Sequence, residues 1–332
     1  MGSVSRFRAQ LSSLLQHTPL PADVAPNFQS WHEFDEVSNR WRTVGTAGRQ
    51  DDKGMATSPQ VRNPQEAIDR PFNLVTWNVD YSSPSPAQRL SAILSRTFSL
   101  SPATDIIFLQ EVCKDAFLHL LEESEVRRNW ILSDADAILP AHQLFTTITL
   151  LSKARFQNLT FGPVWRVNFP SRFGRDALCC DVFVPSSASK PGSRLRLINV
   201  HLDSLPIQPS LRTRQLSIVA ALLRSAGRGV VAGDFNPVLP ADGSLVSDNG
   251  LVDAWAELHP DDPGFTWGVD GTEPFPPSRL DKVASIGLKV QHIEILSPGY
   301  INDHGHTEPK GSEKVAWSDH SGLTCRFQLA GL

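Results

Sequence analysis

The chain has 332 residues, 40% of them hydrophobic, enough for one large core or two ordinary ones. Its formal net charge of -4 excludes indiscriminate coating of nucleic acid, which needs a broad cationic face to displace counterions. No apolar run reaches the roughly 18 residues of a membrane span, so no membrane partner is expected, and Cys113, Cys179, Cys180 and Cys325 lack disulfide or zinc spacing, which predicts reduced thiols in an intracellular protein of the nucleus, the cytoplasm or both.

Residues 1–67 read as an N-terminal extension and linker, and 68–332 as one compact domain. The first 22 residues carry Arg6 and Arg8, several serines and no acid, features shared with a mitochondrial presequence, although a short surface helix is the expected form. Trp31, Phe34 and Trp41 stand in a mostly polar setting and are expected to dock this segment onto the domain. From Gly45 to Pro64 the sequence is polar and rich in breakers, the composition of a linker or long loop.

Strands are predicted at 72–78 (FNLVTWN), 105–111 (DIIFLQE), 144–152 (LFTTITLLS), 177–184 (ALCCDVFV), 194–202 (RLRLINVHL) and 229–236 (GVVAGDFN), each rich in β-branched or aromatic residues and bounded by breakers. Helical periodicity covers 86–98, 114–124 and 211–226, with Leu216, Val219, Ala220 and Leu223 on one stripe of the last. Strands interleaved with helices over this length imply a layered α/β domain.

The strand ends are unusually polar. Asn78 and Asp80 follow FNLVTW, Gln110 and Glu111 end DIIFL, His201 and Asp203 end RLRLINV, and Asp234 and Asn236 end GVVA. Any one of these is an ordinary turn residue, but together they mark one rim, where layered sheets build their ligand sites. Residues i and i+2 of an extended strand share a face, so Asp234 and Asn236 address one target if the strand persists. No Cys or His cluster has closed-zinc spacing, and His304 and His306 read as solvent-exposed loop residues.

TWNVD, LQEV, NVHLDS, GDFN, RLDKV and SDHSGL occur in the order and approximate spacing of the endonuclease/exonuclease/phosphatase superfamily, over residues 70 to 328. Within it the chain most resembles the 5′-tyrosyl-DNA phosphodiesterase branch, through LQEVCKDAF, FTTITLLSK, RDALCCDV, GFTW and WSDHSGL. The resemblance implies a four-layer α/β sandwich, two packed mixed sheets flanked by helices. It implies hydrolysis of a 5′-phosphotyrosyl bond by in-line attack of an activated water, on DNA 5′ ends bearing a tyrosyl or peptide adduct, by a monomer. Mg²⁺, or Mn²⁺, is the implied cofactor, with Glu111 and Asp319 as metal ligands. Asp234 is implied as the base that positions the water, Asn236 as its orienting amide, His320 as a donor to phosphate oriented by Asp281, and Asn78 as an amide donor. His201 serves either phosphate or structure. Trp267, Arg172, Arg175 and Ser204 are the expected substrate contacts, with Arg166 adding charge nearby, and Asp80 and Asp203 support the ligands.

The chain departs from the branch at Asp203, Phe235 and Leu280, and Pro237-Val238-Leu239 stand where the branch places an Arg. Two alternatives accompany this reading: another phosphoesterase of the superfamily, acting on abasic or exonuclease DNA substrates, nucleotides, or lipid or inositol phosphates, and an inactive scaffold that binds nucleic acid or a partner.

Overall fold

The computed structural model describes residues 26–44, 70–136, 143–156, 160–184, 193–302 apart from 272 and 274, and 314–329. The first 22 residues, the 45–64 stretch, the domain start at 68, and His304 and His306 lie outside the described residues. In chain order the first strands are β1 (Asn27–Gln29), β2 (Trp31–Asp35), β3 (Arg40–Val44), β4 (Phe72–Asn78), β5 (Ile106–Cys113), β6 (Trp130–Leu132), β7 (Phe145–Ser152) and β8 (Thr160–Asn168). They continue as β9 (Asp176–Val184), β10 (Ser193–His201), β11 (Gly229–Asp234), β12 (Val252–Asp253), β13 (Asp281–Ile286), β14 (Leu288–Leu296), β15 (Tyr300–Asn302), β16 (Lys314–Ala316) and β17 (Gly322–Leu329). The helices are α1 (Pro86–Phe98), α2 (Lys114–Glu122), α3 (Ser124–Asn129), α4 (Lys153–Phe156), α5 (Arg212–Ala226), α6 (Leu245–Asp248) and α7 (Ala254–Leu258).

One sheet runs β1-β8-β9-β10-β11-β13-β12 and the other β14-β17-β4-β5-β7-β6-β2-β3. Alternation along each strand builds the layers. In β9, Leu178, Cys180 and Val182 point into the core between the sheets, while Ala177 and Cys179 meet α5 and α6 outside. In β4, Phe72 and Leu74 face the other sheet, and Val75 and Trp77 pack with Leu90, Ile93 and Leu94 of α1 and Phe117 and Leu120 of α2. The expected stripe of Leu216, Val219, Ala220 and Leu223 is fully buried on the α5 side. The result is helix, sheet, sheet, helix.

The segment expected to be an extension contributes three strands. β1 pairs antiparallel with β8, and β2 with β6, so residues 27–44 complete both sheets. Trp31 is fully buried between them and donates Nε1 to the Gly162 carbonyl at 3.2 Å. Short strands in a polar stretch lack the run of apolar residues that announces a strand, so only the aromatics pointed to this docking.

Candidate active site

β4 and β5 are parallel, as are β10 and β11, so four carboxyl ends meet at one rim. Antiparallel β13 and β17 bring their beginnings to the same place, with Asp281 opposite Asp234 in register. Beneath this rim Gln110 donates to Thr76 Oγ1 at 3.0 Å and to Asn199 Oδ1 at 2.8 Å, and Asn199 Nδ2 reaches the Ile148 carbonyl at 3.0 Å. This buried amide bridge fixes one sheet against the other directly below the site. Gly233, at φ 139°, leaves room at this point: a Cβ there would lie 1.9 Å from the Val200 carbonyl oxygen of the neighbouring β10 and 3.2 Å from Gln110 Nε2 of the bridge.

Asp234 is the centre of the cluster. Asn78 Nδ2 donates to its Oδ2 at 3.2 Å, and His201 Nε2 lies 3.3 Å from the same oxygen. Burial pushes its pKa up to about 7, helped by the carboxylates of Asp281 and Glu111 and opposed by His320. His320 Nδ1 donates to Asp281 Oδ2 at 2.7 Å, and Nε2 is 4.0 Å from Asp234 Oδ2. Burial disfavours the imidazolium, yet Asp281, Asp234 and Asp319 outweigh it and hold the His320 pKa well above the ordinary value. Asp281 is itself fixed by Thr266, whose Oγ1 accepts the backbone N–H of Leu280 and of Asp281, each at 3.1 Å. His201 has neither ring nitrogen in a hydrogen bond, and burial, then the Arg175 guanidinium and His320, keep its pKa well below that of free histidine. It is a neutral imidazole aimed at carboxylates.

Glu111 occupies a bulge between Leu109 and Val112, at φ 59°. A left-handed residue at a bulge re-aims its side chain, and such backbone strain concentrates at functional sites. Its Oε2 accepts the Tyr81 N–H at 3.1 Å. Burial raises its pKa, and Asp319 adds to the rise, which places the two carboxylates in each other's field. Asp319 Oδ2 accepts Trp267 Nε1 at 3.1 Å. Among the described residues no group of three or more His, Cys, Asp or Glu is arranged to hold a metal. Two hard carboxylates, half-buried Glu111 and exposed Asp319, fit Mg²⁺, which keeps several waters and takes further oxygens from substrate.

Asn236 departs from the expected strand face. β11 ends at Asp234, Asn236 takes φ 46°, and its N–H caps Asp234 Oδ1 at 2.9 Å. Its amide then turns to the Leu202 carbonyl at 3.3 Å and Ser204 Oγ at 3.5 Å, so it reaches the site through a turn. Arg175 is buried at the edge of the cluster, donating to Ser204 Oγ at 3.0 Å with Nε unpartnered. Arg172 is not brought in: its guanidinium reaches the carbonyls of Pro209 at 3.0 Å and Gln208 at 3.5 Å. Arg166 likewise pairs with Asp176 at 2.9 Å. Asp203 accepts the Arg172 N–H and Gln215 Nε2 and anchors that loop, and Asp80 accepts the N–H and hydroxyl of Ser82.

Some contributors were not foreseen. Phe145 stacks on His201 with ring centres 5.7 Å apart and lies 4.9 Å beneath the Arg175 guanidinium. Arg89, buried on α1, donates to the carbonyls of Val79 and Trp317 at 2.8 Å and of Asp80 at 2.5 Å, tying the Asn78 turn to the Asp319 turn. Its signal was an arginine on the apolar stripe of a predicted helix.

The profile of the Endonuclease/Exonuclease/phosphatase family matches residues 75–320. Tyrosyl-DNA phosphodiesterase 2 of Danio rerio is 26% identical over 304 residues, covering 86% of this chain and 72% of that one. The fold is similar to that of D. rerio TDP2 complexed with single-strand DNA product, with a TM-score of 0.58, 21% identity, and coverage of 78% of this chain and 99% of that one. It is also similar to TDP2 from Caenorhabditis elegans (TM-score 0.59, 19% identity, covering 81% of this chain and 77% of that one) and to the human Nocturnin catalytic domain with bound sulfate (TM-score 0.55, 16% identity, covering 79% and 95%).

Proposed function

The chain belongs to the endonuclease/exonuclease/phosphatase family and is a phosphoester hydrolase; on that premise we propose that it is a Mg²⁺-dependent phosphodiesterase that removes a tyrosyl or peptide adduct from a DNA 5′ end. The observation that carries the chemistry is Asp234, buried among Asn78, His201 and His320 with its pKa lifted to about 7. A carboxylate so placed holds a water and takes its proton near neutral pH. A divalent cation held by Glu111 and Asp319 would neutralise the charge that builds on the phosphate oxygens. His320, charged and oriented by Asp281, donates from Nε2 to a non-bridging oxygen, and Asn78 holds Asp234 in place. Neutral His201 packs against both carboxylates, 3.8 Å from Glu111 Oε1, without adding a competing cation. Arg175 and Trp267 flank the reacting phosphate, the guanidinium for charge and the indole for a base or ring.

The substrate reading is supported by the likeness to tyrosyl-DNA phosphodiesterase 2 and by the presence of a DNA product in one of the similar structures. It is tested with a 5′-tyrosyl oligonucleotide beside abasic duplex DNA and phospholipid, each with Mg²⁺, with Mn²⁺ and with EDTA. Release of tyrosine only with metal is expected. Cleavage of one of the others while the tyrosyl ester survives would overturn the substrate, and silence on all of them would favour a binding scaffold.

A further inference from the structure

A cavity of about 420 Å³ opens on the outer face of the 8-stranded sheet, away from the rim that carries the chemistry. Strand register sets its floor: Asn73 of β4, Arg326 of β17 and His292 of β14 stand opposite one another in a single cross-strand row. Their chain neighbours Leu74, Cys325 and Ile293 point into the core between the sheets, so the row faces outward. α1 covers Val75 and Trp77 but ends at Phe98, and Leu100 and Pro102 of the turn beyond it form an apolar wall. Asn73 lies near the start of β4 and Asn78 at its end, so the cavity stands about 17 Å along the strand from Asn78.

The fold gives Arg326 no partner. Its Nε is buried without a hydrogen bond, and its guanidinium forms no ion pair among the described residues. Arg196 and Arg212, by contrast, close on Asp181 at 2.7 Å and Asp242 at 2.8 Å. A donor shut away from water without an acceptor opposes folding, which is the expected cost of a group that waits for an acceptor from outside. A planar fork of donors suits a carboxylate. The other fixed charge on the described lining is Glu294, one row along and diagonal to Arg326, with Oε2 3.5 Å from His292 Nε2. It repels the second charge of a phosphate dianion and attracts an ammonium. Diagonal positions on neighbouring strands are about 7 Å apart, the span of two extended residues. Asn73 donates Nδ2 to the Ala103 carbonyl at 3.0 Å, which leaves Oδ1 to accept a peptide N–H.

We propose that this cavity binds a zwitterion of dipeptide length, with its carboxylate on Arg326, its ammonium on Glu294 and an apolar side chain against Leu100 and Pro102. It is a second site, and it stands whatever ester the Asp234 cluster cleaves.

The test uses the full chain, with L-alanyl-L-leucine as the probe and titration calorimetry as the readout. The dipeptide should bind with a Kd of about 1 mM or below, as two charge-assisted contacts allow. Its C-terminal amide, its N-acetyl form, L-leucine and inorganic phosphate should each bind about tenfold more weakly or worse, because each loses one of the two contacts. The Arg326 Nε–H resonance should move on addition of the dipeptide and stay in place with the amide. Arg326→Met should abolish binding at a melting temperature equal to or above that of the unaltered protein, since it removes an unsatisfied donor. Binding retained in that variant, or a lowered melting temperature, would make Arg326 a structural residue and overturn the site. Glu294→Gln, a change at an exposed position, should bring the free and the N-acetyl dipeptide to the same affinity. Phosphate bound as tightly as the dipeptide overturns the zwitterion in favour of a general anion site, and L-leucine bound as tightly overturns the two-charge spacing. No heat at about 20 mM dipeptide, well above the expected Kd, overturns the proposal outright.

Discussion

Asp234 and His320 sit close enough for each to set the other's protonation, and Asp281 decides the sign. With the Asp234 pKa at about 7, the base is available only as pH rises through neutrality, so kcat/KM should climb on the acid side to a plateau above about 7. The plateau should persist until His320 loses its proton, well above the usual histidine range because of the adjoining carboxylates. Asp281→Asn removes the first of those carboxylates and should move the alkaline limb toward neutrality while lowering kcat. An unmoved limb in a pH profile of that variant would mean that Asp281 has only a structural part. Asp234→Asn keeps the Asn78 contact in shape but deletes the base, and kcat should fall about 10²–10⁴-fold with folding intact by circular dichroism. Near-normal turnover would remove Asp234 from the mechanism.

Arg89 shows how elements, not single ligands, hold the rim together. Its carbonyl partners are Val79, Asp80, Ser83 and Pro84 in the turn after β4 and Trp317 beside the Asp319 turn, so one helix side chain sets the spacing of Asn78 and Asp319. Arg89→Leu leaves those buried carbonyls without a donor and should destabilise the protein by about 3–5 kcal/mol in urea unfolding; a loss under about 1 kcal/mol would mean that water replaces the guanidinium. Such long-range ties were only half legible in the sequence: an arginine on the apolar stripe of a helix signals burial, but no pattern names the carbonyls that it reaches. Strands with dense apolar runs were legible: β4 matches its predicted span, and β5, β7, β9 and β10 differ by one or two residues at an end. β8, β14 and β17 were missed as strands, since β8 carries Gly162 and Pro163, and the alternation of β14 is broken by a bulge between Val290 and His292. The site residues were legible because strand ends converge whatever the loops do. The orientation of Asn236 and Arg172 was not, because each depends on a local turn and on the carbonyls within its reach.

The layered architecture puts sulfur where water does not reach, and this shapes the stability of the whole molecule. Cys180 and Cys325 lie in the core between the sheets, and Cys179 lies in the outer core under α5. Burial drives all three thiol pKa values up, that of Cys325 to about 12, while the unfolded chain would ionise them near 8.5. A raised folded pKa gives stability that is complete below the unfolded value and lost as pH climbs toward the folded one. Lys282 acts in the opposite sense: burial lowers its pKa to about 8, so its contribution improves between about 8 and the ordinary 10.5. Three thiols against one amine leave two protons, and stability should drop by about 3 kcal/mol per pH unit between pH 9 and 10.5. Cys325→Ala removes one titrating thiol without overpacking the core, so it should flatten that slope by about half. Urea midpoints recorded across this window decide it, and a midpoint that does not move between pH 9 and 10.5 would mean that the thiols reach solvent before the fold opens.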